Sequence, residues 1–295
     1  MKFLRSTLRP FLTLLVVAIA AAAGWSMWQT YMLSPWTRDG TVRVYVVTIA
    51  PEVAARVVQL NVLDNQYVHK GDVLFVIDPT DYRIAVDDAQ AIVEQTKEQL
   101  TLARAESERR AQLTELAVTK EQQQIYATSA ATAAASYQQA LSRLAKAEYN
   151  LSRTEVHSPV DGWITNLSLR QGDYAIVGQR ALSVVDAHSF WVDGYFEETT
   201  IAPIAEGDPA SVWLMGFPQE IKGHVDSFAR AINVPNAQPN AAGVAEVNPV
   251  FTWVRLAQRV PVRIHLDAVP GNIRLVQGMT ATVKVHPRAP AAAKK

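Results

Sequence analysis

Between Thr80 and Ser158, small or apolar residues recur at alternating steps of four and three. The series runs Tyr82, Val86, Ala89, Val93, Thr96, Leu100, Ala103 and restarts as Tyr126, Ala130, Ala133, Tyr137, Ala140, Leu144, Ala147, Leu151. Each series is the seam of a helix lying along a partner helix. The 79 residues of this stretch include no Gly and no Pro, the two strongest helix breakers. Thr119, with Gln122 three residues later, has the spacing at which a hydroxyl caps a new helix. The pattern predicts a helical hairpin over residues 80–155, each arm of about 33 residues rising about 50 Å. Its second arm is unusual: Gln122 to Ser142 is 21 residues without a charge. An isolated hairpin should offer water a charged face, so this Ala- and Gln-rich surface points to contact with another protein. Plain packing of Ala and Leu is the competing account.

On either side of the hairpin the period changes from helical to two, and the two flanks repeat each other. At a constant offset of 107, Val57 pairs with Ile164, Leu60 with Leu167, Val62 with Leu169, Tyr67 with Tyr174 and Gly71 with Gly178. Residues 48–79 and 156–187 are therefore matching half-domains of short strands. Gly71, Gly162, Gly172 and Gly178 are expected at turns that need positive φ. A hairpin returns the chain to where it left, so the halves meet. Beyond them, alternation over Phe190–Tyr195, Gly207–Leu214, Gly223–Phe228, Val260–Leu266 and Ala281–Val285 predicts a β-barrel over 188–286. Residues 38–47 join it, through one strand expected along Thr41–Ile49. Ala231–Pro249, with three Pro and four Asn, reads as a long mobile loop, and 287–295 as a disordered tail.

The N-terminus has another pattern. Pro10 to Thr37 is 28 residues without a charge, ending among Trp25, Trp28, Tyr31 and Trp36. About 20 apolar residues cross a bilayer, so a transmembrane helix is expected over 10–33. Lys2, Arg5 and Arg9 precede it, which puts residues 1–9 in the cytoplasm and the bulk outside. The alternative is a cleaved signal peptide, with Ala21-Ala22-Ala23 at the cleavage site.

Composition narrows the chemistry. Lys+Arg and Asp+Glu are both 28, and zero net charge excludes a global basic field for nucleic acid. With no Cys, disulfides, thiolate zinc sites and Cys nucleophiles are excluded. Six His stand singly, without metal-ligand spacing, and the nucleophile-elbow, dinucleotide and phosphate-loop motifs are missing. The adjacent carboxylates Glu197-Glu198 and Asp87-Asp88 point apart on a strand or helix. No enzyme, metal or cofactor is expected.

Two stretches carry a resemblance. Asn65-Gln66-x-Val68-x-Lys70-Gly71-Asp72-x-Leu74-Phe75-x-Ile77-Asp78 and Ser158-Pro159-x-Asp161-Gly162 resemble the half-motifs of membrane fusion proteins of the HlyD/EmrA type, the periplasmic adaptor subunits of tripartite systems. Trp253-Val254-Arg255-Leu256-Ala257-Gln258-Arg259-Val260-Pro261-Val262-Arg263-Ile264 resembles a barrel strand of the EmrA-like branch, most similar to adaptors of p-hydroxybenzoate efflux. The resemblance implies a mainly β fold plus an α-helical hairpin: a transmembrane helix, a split biotinyl/lipoyl-like domain interrupted by the hairpin, and a β-barrel. It further implies a single-pass inner-membrane protein with a periplasmic body. Its partners would be an inner-membrane transporter, an outer-membrane channel of the TolC type and other copies of itself in a ring, sixfold by family analogy. Arg109, Leu113 and Thr119 match the tip motif by which such adaptors meet the channel, with Thr in place of the family's Ser. Ala55 departs from a Gly that the family often has. Two alternatives stay open: a type I secretion adaptor paired with an ATPase, whose helices are usually longer, and a biotin or lipoyl carrier. The carrier would present a modified Lys at the turn joining its halves, whereas here the halves are joined by the hairpin and Lys70 lies inside the first.

Overall fold

A computed structural model describes residues 14–25, 27, 34–113, 119–232 and 256–288. Residues 14–25 are helical (α1) and exposed. Among the described residues no helix is long and apolar enough to cross a membrane. Much of the span expected over 10–33 lies outside them. So do most of the loop expected over Ala231–Pro249 and nearly all of the tail.

The chain divides into two units, residues 1–45 with 189–295, and residues 46–188. Strand β1 (Trp36–Arg43) opens the first unit. The second unit follows as β2 (Val46–Ile49), β3 (Ala55–Leu60), β4 (Tyr67–Val68) and β5 (Val73–Ile77). Helices α2 (Thr80–Ala111) and α3 (Lys120–Ser152) come next. Strands β6 (Glu155–His157), β7 (Gly162–Thr165), β8 (Tyr174–Ala175) and β9 (Leu182–Asp186) complete it. The chain then returns to the first unit as β10 (Trp191–Glu197), β11 (Pro209–Leu214), β12 (Glu220–Phe228), β13 (Arg259–Ala268) and β14 (Thr280–Val285).

The first unit is a closed barrel in the order β1, β10, β13, β12, β11, β14. Alternate residues fill its interior; Val42, Val192, Phe196, Ile221, Ile264 and Val283 are all fully buried. Thr41–Ile49, expected as one strand, is two. β1 pairs with β10 and β14, whereas β2 pairs with β9. Between them the Tyr45 amide leaves the ladder and donates to Ser189 Oγ at 3.0 Å.

The second unit contains two four-stranded sheets, β2-β9-β7-β4 and β6-β5-β3-β8. Each takes two strands from either side of the hairpin, so the repeated halves interleave around one core that includes Val57, Val68, Leu74, Phe75, Ile164 and Leu182. The sequence offset reappears in the hydrogen bonds. Asn65 N–H donates to Ile164 O, and Gly172 N–H to Val57 O. Likewise Gly71 N–H donates to Ser158 O, and Gly178 N–H to Pro51 O. Swapping the halves maps each pair onto the other, a pseudo-twofold.

In the hairpin, every seam position read from the sequence is buried or half-buried, with Ala89, Val93, Leu100 and Ala140 the most enclosed. Its base is tied to the β2–β3 turn. Tyr82 Oη accepts from Ala54 N–H at 3.2 Å and donates to Ala54 O at 3.1 Å. Glu52 accepts from Tyr149 Oη at 2.9 Å and pairs with Arg153 at 3.4 Å. Asp78 starts α2, accepting from the Thr80 hydroxyl at 2.7 Å and the Thr80 amide at 3.0 Å. These hydrogen bonds hold its carboxyl below the ordinary aspartate range, the hydroxyl contributing most. Because the folded value is the lower one, the contribution is complete above the ordinary pKa of about 3.9 and is lost as pH falls through the folded value. Asp78→Asn is expected to loosen the hairpin base slightly at neutral pH and to flatten its acid response. Helical circular dichroism against pH checks both.

Candidate docking site at the hairpin tip

The end of α2 is built to carry cations, because its last carbonyls lack helical partners and the helix dipole is negative there. Arg109 and Arg110 occupy this turn and act differently. Arg110 lies 5.1 Å over the ring of Tyr126 on α3, and Gln123 Nε2 donates to the Arg110 carbonyl at 3.4 Å. This arginine closes the hairpin. Arg109 bonds one turn back along its own helix, Nε donating to Ala105 O at 3.2 Å, and is exposed. Leu113 follows the helix end, its amide donating to Arg110 O at 3.3 Å while its side chain is 43% exposed. Across the turn, Thr119 is the N-cap of α3 and its Oγ1 accepts from Gln122 N–H at 3.3 Å. Residues 114–118 between them lie outside the described residues. Arg109, Leu113 and Thr119 therefore occupy one exposed end of the hairpin, offering a cation, an apolar side chain and a hydroxyl. The Tyr126 ring separates the two arginines, and its cross-hairpin contact leaves no trace in either helix's own spacing.

Behind the tip the two helices differ. Outward positions of α2 are charged at Asp87, Asp88, Glu94, Lys97, Glu98 and Arg104, all exposed. Those of α3 from Gln122 to Ser142 are Gln, Ala, Ser and Thr, with Ile125 the large apolar exception at 58% exposure.

The expected turn glycines divide into two kinds. Gly71, Gly172 and Gly178 have φ of 92°, 96° and 76°. Gly162 corrects the expectation: it begins β7, opposite Asp186, with no positive φ. A Cβ there would fall on the Val185 carbonyl, so close approach of backbones selects this glycine. Ala55 opens β3 opposite Ala175, again without positive φ, so its methyl group is accommodated.

The barrel holds a Ser–His–carboxylate cluster that sequence spacing did not reveal. Ser211, 7% exposed, contacts Glu220 Oε1 and His286 Nε2, the latter at 3.0 Å. The carboxylate meets the serine and not the far ring nitrogen, so the relay that activates a serine nucleophile is not assembled. Among the described residues no group of three or more His, Asp or Glu is placed to hold a metal ion.

Residues 45–187 match the family model described as the RND MFP barrel-sandwich hybrid domain, and residues 189–286 match the AAEA-like beta-barrel domain. The uncharacterized protein YdhJ of Escherichia coli (strain K12) is 42% identical over 279 residues, which is 95% of this chain and 98% of that one. The fold is similar to a MacA-MexA chimeric protein containing the Pseudomonas aeruginosa MexA alpha-hairpin domain, with TM-score 0.62, 21% identity and coverage of 86% and 83% of the two chains. It is also similar to the membrane fusion protein Spr0693 of Streptococcus pneumoniae R6, with TM-score 0.61, 15% identity and coverage of 85% and 98%.

Proposed function

The chain belongs to the membrane fusion protein family of periplasmic efflux adaptors associated with the inner membrane, and from that premise we propose that it joins an inner-membrane transporter to an outer-membrane channel of the TolC type. Members of this family are generally adaptors and not enzymes. The observation that carries the proposal is the hairpin inserted between interleaved half-domains, with Arg109, Leu113 and Thr119 exposed together at its far end. A two-helix arm of 32 and 33 residues extends this tip about 50 Å. The work is mechanical: the barrel unit and the segment before it hold the transporter, and hairpins arranged in a ring, sixfold by family analogy, meet the channel. The exported molecules are small, aromatic carboxylic acids among them, and the uncharged residues 10–33 anchor the chain by a single pass with the N-terminus in the cytoplasm. An ATPase recovered with the chain in place of an efflux transporter would instead favour the secretion adaptor.

Arg109→Glu combined with Leu113→Asp is expected to abolish efflux and site-specific crosslinking to the channel. Thermal stability should change by less than about 0.5 kcal/mol, as for exposed substitutions elsewhere. Arg110→Ala serves as the contrast, since it removes a contact within the hairpin worth about 0.5–1 kcal/mol. Full efflux and crosslinking in the double variant would count against the tip.

A further inference from the structure

Two phenols hold the base of the hairpin to one turn of the paired sheets. Tyr82 follows Asp78, where α2 leaves β5, and Tyr149 precedes Arg153, where α3 ends. Each is about one helical turn, some 6 Å, along its helix from the chain junction. Both reach the turn of residues 51–54, Tyr82 at Ala54 and Tyr149 at Glu52. The junctions themselves are fixed. At α2 the Asp78–Thr80 hydrogen bonds do this, and at α3 buried Thr154 does, its carbonyl accepting from Ile77 N–H at 2.8 Å. A helix fixed at one point can still tilt, and a second support one turn away sets its direction.

The two supports are chemically unlike. Tyr82 is half-buried, and its hydroxyl satisfies both main-chain groups of Ala54, so release would strip two backbone groups of their partner. Glu52 reaches α3 through side chains that stand in water: its own is 55% exposed and that of Arg153 43%. The Arg153 guanidinium lies 4.5 Å over the Tyr149 ring, so these two residues, four apart on one helix face, act as a pair. An exposed ion pair is weak because water competes for both partners, so this support can open while the one at Tyr82 holds. The repeated fold does not call for the carboxylate. Gly178 N–H donates to Pro51 O as Gly71 N–H donates to Ser158 O, which places Pro159 in the twin turn where Glu52 stands in this one. In that twin turn Asp161 takes the place of Ala54, and its Oδ1 accepts from Lys70 N–H at 2.9 Å, within the paired sheets.

We propose that Glu52, with Tyr149 and Arg153, is a latch that sets the tilt of the hairpin. Closed, it holds α3 in the direction seen; open, it lets the hairpin swing about its junctions and Tyr82. The arm enlarges the motion. Tyr149 is about 7 Å from Thr154 along the helix and the tip about 50 Å, so each ångström of slack at the phenol moves the tip by about 7 Å. The latch stands on the geometry of this unit, and only the use of the swing, to aim the tip at a channel, rests on the adaptor reading.

The native chain has no Cys, so introduced thiols report cleanly. The test uses the full chain with nitroxide labels on Leu63→Cys in the paired sheets and Glu98→Cys on α2, both at exposed positions. Dilution with unlabelled chain makes pulsed dipolar spectroscopy read distances within one copy. Glu52→Arg and Arg153→Glu each bring like charges together, and each is expected to widen the distance distribution at least about twofold. Combining them restores opposite charges and should return the native width, with helical circular dichroism equal throughout. Tyr149→Phe, which removes one hydrogen bond, should fall between. Single variants as narrow as the native chain would overturn the latch. So would a combined variant that stays wide, since lost packing rather than charge would then be the cause. Efflux separates the latch from its use: undiminished efflux in a widened single variant would overturn the aiming of the tip and leave the latch standing.

Discussion

Gly162→Val is expected to unfold the unit of residues 46–188 while leaving the barrel unit's transition in place. The position begins β7 and pairs with Asp186 of β9. A side chain there collides with the Val185 carbonyl and approaches the Asp186 Cα, backbone atoms of the central strand pair that cannot swing aside as a flexible side chain would. Strands β7 and β9 bring Ile164, Leu182 and Val184 into the core, so separating them opens it from the middle. Overpacking in a core costs about 1–3 kcal/mol, and the rigid obstacle here puts the cost at or above about 3 kcal/mol. Gly71→Ala is the comparison. No atom lies within 4 Å of its added Cβ, and only the φ of 92° resists it, a penalty of about 1–2 kcal/mol. Two thermal transitions, assigned by calorimetry of each variant, check the pair. Equal losses at both glycines would refute the distinction drawn between them.

Leu100→Ala should disable the hairpin tip without touching it. Leu100 is 6% exposed, one of the few well-buried side chains along an arm otherwise held by half-buried contacts. Truncating a buried Leu costs about 2–5 kcal/mol. The end toward Leu100 and Ala103 is farther from the ties made by Tyr82, Tyr149 and Arg153, so the loss should appear as local opening at the distal end. Amide exchange is expected to accelerate over residues 100–111 and 120–133, with the base of the hairpin still protected. Channel crosslinking through an intact Arg109 should fall with it. Uniform exchange across the hairpin, or undiminished crosslinking, would mean that the tip does not depend on this seam.

Both helices were legible because helical packing leaves a local record. Tyr82, Val86, Ala89, Val93 and the series beyond repeat at the spacing that puts them on one side, and these positions are the ones withdrawn from water. Thr119 was legible for the same reason, since a cap and the amide it accepts from are three residues apart. The repeated halves also declared themselves, because equal backbone geometry calls for similar residues at equal offsets; Asn65 and Gly172, both at positive φ, are such a pair.

Strand pairing leaves no comparable record. A strand's alternation states which side is buried but not which neighbour it joins, so Thr41–Ile49 looked continuous although its ends belong to different sheets. The reason for Gly162 lies on β9, some twenty residues away along the chain, and its own neighbours could not distinguish a tight turn from a close approach. Arg110 and Tyr126 meet across the hairpin, and the cross-strand neighbours Val46, Val185, Trp163 and Tyr67 come from four strands and both halves. The sequence alone determined the helices, the repeat and the order of parts, all products of short-range periodicity or equal offset. Tertiary structure alone decided which strands pair and which side chains meet across them, because those depend on contacts between residues that the chain keeps far apart.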